Sequence, residues 1–216
     1  DVFLYISENS ADPIVALDAQ LNLIELDLLE VDDKVLDKVQ KKFDDLLGVH
    51  GYQMETLQLQ IAYAKFLTFN KNNPEPAIGI LRQCLELPLN NYSKSYIKST
   101  LGDILVFDRQ FNQALIYFSQ IQKDLKNDVL GQDARFKVAQ TSFYKGDFDW
   151  SLTQLKILRG STSQLIANDA MQLSLLISDN SLEDSTQTAL KKYARADFLA
   201  YQNKKKDAVE LLEDIL

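Results

Sequence analysis

Small residues recur at one phase of this chain. Ala77, Ala114 and Ser151 stand 37 residues apart, and Ala208 follows after a longer interval of 57. Leu101-Gly102 lies twelve to thirteen residues before Ala114, and Phe118 lies four after it. A fixed period of this length means helical hairpins that cannot bury their apolar faces alone and must stack on their neighbours. Small residues are needed where helices cross closely, and bulky ones fill the space between adjacent pairs. Only 7 Gly and 4 Pro are spread over 216 residues, too few for an all-β chain with many tight turns, and the 46% hydrophobic content can form a sizeable core.

Apolar spacing and cap residues divide the chain into pairs. Asp12-Pro13 reads as N-cap and first helical residue, followed by a stripe of Ile14, Leu17, Leu21, Ile24 and Leu28. Asp32 or Asp33 caps the next helix, in which Val35, Val39, Phe43 and Leu46/Leu47 recur until Gly48 supplies the stop. These two form a degenerate hairpin over 12–48. Further hairpins are predicted over 53–88, broken by Asn-Lys-Asn-Asn-Pro at 70–74, then over 93–126 and 131–160, the last turning at Gly146. An extra helix over 161–178 accounts for the longer interval. Ser181-Leu182-Glu183-Asp184 then reads as a capping-box-like start of a final hairpin over 182–216. The expectation is a single array over 1–216, all-α. The chain begins at Asp1 and ends at Leu216 without a polar capping helix, from which we expect a fragment of a longer repeat protein.

Leu101-Gly102, Leu105, Phe111, Ala114 and Phe118 resemble the pattern of a tetratricopeptide repeat. Val138-Ala139, Ser142, Gly146, Phe148, Ser151 and Leu155 follow it in a second copy, and Ala196, Leu199, Ala208 and Leu212 in a last one. The signature Trp and closing Pro are missing, and the period exceeds the family's usual value of about 34. Such irregular repeats resemble those of bacterial cell-envelope adaptors, which tilts the expected location towards the periplasm or envelope. The resemblance implies a right-handed α-solenoid of stacked antiparallel hairpins with a concave groove. Carried across by phase, it implies a groove lined by Phe66, Phe69 and Asn70, by Asp103, Val106 and Phe107, and by Gln140, Phe143 and Tyr144. Family members that hold acidic tails use Lys and Asn in the groove. Ser99, Asp103, Phe136 and Gln140 stand at the matching positions here, which argues against that mode.

Charge and residue types narrow the chemistry. The net charge is −8, and residues 1–50 hold 12 Asp/Glu against 4 Lys/Arg, so phosphate backbones and anionic membrane surfaces are repelled. No stretch approaches the roughly 20 apolar residues of a membrane span. Cys84, the only cysteine, sits at an apolar helix phase and reads as a small core residue, which leaves no internal disulfide. His50, the only histidine, reads as a loop residue, and its solitude removes most hydrolase and metal constellations. Trp150 reads as core or turn packing, and Lys204-Lys205-Lys206 as a solvated turn. No cofactor, metal or catalytic set is predicted. The expectation is a non-catalytic interaction scaffold that binds a protein or peptide in its groove. One alternative is a structural spacer or self-association segment working through the uncapped C-terminal end. The other is a helical glycan- or small-ligand-binding domain, which would need converging acids in a closed pocket.

Overall fold

The computed structural model describes residues 2–29, 32–181 and 186–215, with Asp33 described by its backbone alone. Among these residues the protein is all-helical, with twelve α-helices, one short 3-10 turn and no strand. It divides into two compact units, 1–89 and 90–216.

The first unit holds α1 (Val2–Asn9), α2 (Pro13–Asp27), α3 (Asp33–His50), the 3-10 turn Met54–Thr56, α4 (Leu57–Phe69) and α5 (Pro74–Glu86). The Asp12 carboxylate accepts from the Ile14 amide at 2.9 Å, and Pro13 follows at the first position, where a missing amide loses nothing. Asp32 caps α3 through the Lys34 amide at 3.3 Å. Two expectations are corrected here. Gly48 lies inside α3, and the stop is Gly51, whose φ of +72° suits a residue without Cβ; His50 is therefore the last helical residue and not part of a loop. Helix α1 is not among the helices expected from the sequence. The unit's core forms where Phe43 stacks on Tyr63 at 5.0 Å and meets Phe66 at 5.4 Å. Cys84 is fully buried, as expected, and its thiol donates to Gln60 Oε1 at 3.0 Å, tying α5 to α4.

The second unit holds α6 (Asn91–Phe107), α7 (Phe111–Asp124), α8 (Val129–Lys145), α9 (Phe148–Leu158), α10 (Gln164–Ser181), α11 (Thr188–Tyr201) and α12 (Lys205–Glu213). Asn90 and Asp128 cap α6 and α8 with side-chain bonds of 2.8 Å. Gly146, at φ +81°, closes α8 in the left-handed conformation. Consecutive helices from α6 to α10 pack on one another, and the small-residue phase marks the crossings. Ala77, Ala114 and Ser151 have no exposed surface. Phe118 lies so close over Gly102 that a Cβ there would stand 2.3 Å from its ring, and the Ser151 hydroxyl donates to the Ala139 carbonyl at 2.8 Å. Ser181 ends α10 and does not cap the next helix; the rest of that expected cap, 182–184, lies outside the described residues, and α11 begins at Thr188.

Candidate functional site

Helix α11 decides what the second unit can offer a ligand. It packs on α8, and its C-terminal end reaches α6: the Tyr201 hydroxyl donates to the Asp103 carbonyl at 2.9 Å and Gln202 Nε2 to the Phe107 carbonyl at 2.6 Å. The second bond satisfies one of the carbonyls left open at the C-terminus of α6. Its rings close the same surface, with Tyr144 at 5.2 Å from Phe198 and 6.0 Å from Tyr201, Phe107 at 6.3 Å from Tyr201, and Phe111 edge-on to Phe198 at 5.1 Å.

The expected aromatic ladder is thereby corrected. Val106, Phe107 and Phe143 are buried within the second unit, and Phe66 is buried in the first unit against Phe43, so none of the four presents an open face. Phe69 is half-buried and Asn70 is the exposed C-cap of α4. Asp103 is spoken for by Lys137, whose ammonium lies 2.7 Å from its carboxylate, 3.0 Å from Ser99 Oγ and 3.4 Å from Asp133. Burial works against that charge, but the two carboxylates outweigh it and hold the Lys137 pKa above its ordinary value. The Lys137 ammonium also sits 5.8 Å from the centre of the Phe118 ring. Phe107 and Tyr144 share a phase, as expected, but the chain's own helix covers them.

Of the expected residues in this unit, Gln140 lines open space. Gln140 lines a cleft of about 470 Å³ between α8, α10 and α11, together with Phe136, Leu173, Tyr193, Asp169 and Asp197. The apolar floor continues into the core that links α8, α9, α10 and α11. None of the lining residues is basic, and among the described residues neither Asp169 nor Asp197 has an ion pair. Burial raises the Asp197 pKa, opposed by the neighbouring Tyr144 hydroxyl. The same contact, after burial, pushes the Tyr144 phenol well above its usual range. Asp197 is thus a carboxylate partly stripped of water with a neutral hydroxyl nearby, an arrangement that favours an incoming cation. Sequence could not bring it to Asp169, since the two stand on different helices with only tertiary packing between them.

Trp150 is also corrected: it is 54% exposed and not core. Among the described residues no group of three or more His, Cys, Asp or Glu could hold a metal, and no helix is long and apolar enough to cross a membrane. Compared with known proteins, the chain matches no family model, no curated sequence and no solved structure.

Proposed function

We propose that this chain is a non-catalytic protein-binding module, a right-handed superhelix of tetratricopeptide-like hairpins. Its second unit takes a basic segment of a partner protein in the cleft between α8, α10 and α11. The observation that carries this reading is Asp197, a half-buried carboxylate with a raised pKa and no counter-charge, facing open space beside Asp169. A Lys or Arg side chain of the partner supplies that counter-charge, its methylene stem lies along Phe136 and Leu173, and the exposed Tyr193 ring offers its face to the cation. The cleft volume suits one or two side chains, which is the scale of a recognition pocket rather than of a whole interface.

The reading replaces the peptide groove lined by Phe107 and Tyr144 with a neighbouring site, because α11 occupies the former. Titration with an acetylated hexalysine peptide tests it. The Asp169→Asn/Asp197→Asn double variant should weaken binding at least about tenfold, roughly 1.4 kcal/mol. Asp18→Asn/Glu25→Gln, which removes the same charge from the first unit, should weaken it less than about twofold, the size expected of screened surface charge. Equal losses from both pairs would reduce the effect to net charge and remove the site.

A further inference from the structure

Trp150, the one tryptophan of the chain, stands in the first turn of α9 and lines a second cleft, of about 410 Å³, between α7, α8 and α9. The charge here is the reverse of the first. Lys123, Lys126 and Arg135 line it, and no carboxylate does. The Arg135 guanidinium is held by neutral amides: Nη1 donates to Gln154 Oε1 at 3.1 Å. With the Gln122 amide turned so that its oxygen meets the fork, Nη1 and Nη2 donate to that oxygen at 3.2 and 2.6 Å. Amide carbonyls orient a guanidinium without neutralising it. Among the described residues none of the three cations has an ion pair. Burial lowers the Arg135 pKa, as it does for a cation that has lost water and gained no counter-charge.

We propose that this cleft binds a carboxylate of an acidic partner segment, with Arg135 as the forked donor, Lys123 and Lys126 as supporting charges, and an apolar neighbour of the carboxylate laid on the Trp150 indole. Arg suits the task because its planar fork matches the two oxygens of a carboxylate. A long polyanion is disfavoured, since a nucleic acid would carry its phosphates over a chain of net charge −8, whereas a short acidic segment meets only the local three positive charges. The site is independent of the first cleft. On α8, at 3.6 residues per turn, Arg135 and Val138 face roughly 150° away from Phe136 and Gln140. None of Ser99, Asp103, Phe136 and Gln140 takes part.

Because Trp150 is the sole indole, its emission reports this cleft alone. Titrating the intact chain with C-terminally amidated hexaglutamate should give a saturable emission change. Arg135→Gln should weaken it at least tenfold. Lys123→Gln/Lys126→Gln, both exposed positions with circular dichroism unchanged, should weaken it at least threefold. Asp169→Asn/Asp197→Asn should leave it intact. Free-acid and amidated Gly-Leu-Leu then separate the two sources of a carboxylate: a response to the free acid adds chain termini to the side-chain ligands, and none confines the site to Asp and Glu. Any of four results overturns the proposal: no saturable change, an equal response to inorganic phosphate or oligouridylate, indifference to both sets of variants, or an emission change produced by raising the protein concentration alone, which would make a second copy the occupant.

Discussion

Replacing Gly102 by alanine adds one methyl group where α6 crosses α7. Its carbon would stand 2.3, 2.6 and 3.0 Å from three carbons of the Phe118 ring, which is itself fully buried and has nowhere to retreat. Overpacking a core by one methylene costs about 1–3 kcal/mol, and contacts this short belong in the upper half of that range. Against it stands the helix preference of alanine over glycine, about 1 kcal/mol. The net expectation is a loss of about 1–2 kcal/mol from these two terms. Gly79 provides the internal contrast: it is an exposed residue within α5, a Cβ there would meet nothing within 4 Å, and the same substitution should stabilise α5 by up to about 1 kcal/mol. Hydrogen exchange read helix by helix should show α6 and α7 opening about 5–30 times more readily in Gly102→Ala, and α5 less readily in Gly79→Ala. In a Phe118→Leu background the Gly102→Ala penalty should shrink by about 1 kcal/mol or more, the coupling of residues in direct contact. Slower exchange in α6 after Gly102→Ala, or additive effects of the two substitutions, would refute the close crossing.

Three further outcomes follow from the same geometry. Asp197→Asn should raise the thermal stability of the second unit while weakening hexalysine binding, since it removes a charge that burial disfavours and keeps an acceptor for Tyr144; thermal melts and titration of one variant check both halves. Gln202→Ala and Tyr201→Phe should each cost about 0.5–1.5 kcal/mol by removing a hydrogen bond to α6, with faster exchange in α11 as the readout. Burial pushes the Cys84 thiol from near 9 up to about 11, so the native chain keeps a proton there that the unfolded chain releases. Folding stability of the first unit should therefore fall as pH rises from about 9 to about 11, with the raised Tyr63 phenol adding to the loss at still higher pH. Cys84→Ala should flatten the lower part of that profile, and thiol labelling of the native chain should proceed only through opening.

What could be read in advance was local. Ala77, Ala114 and Ser151 declare helix crossings because only a small side chain fits there, and all three are buried without remainder. Asp12-Pro13, Asp32 and Gly146 carry their own cap chemistry within a few residues of the helix ends they fix. The errors arise where distant segments decide. Gly48 and Gly51 look equally able to stop α3, and helix α3 runs through the first to end at the second. The period that places Phe107 and Tyr144 at one phase is correct about phase, but says nothing of the rings 54 to 94 residues later that cover them, because Phe198 and Tyr201 carry no mark of their destination. Trp150 obeys the pattern of a turn-packing aromatic and is exposed all the same. The acidic cleft is a product of α8, α10 and α11 meeting, and of its residues the sequence marks Phe136 and Gln140 of α8 as groove positions but neither carboxylate.

Hydrogen exchange in the presence and absence of saturating hexalysine addresses the binding site most directly. The account predicts slowed exchange confined to three segments, 136–140 of α8, 169–176 of α10 and 193–197 of α11, and abolished by Asp169→Asn/Asp197→Asn. Protection spread over the acidic first 50 residues with those three segments unchanged would contradict it.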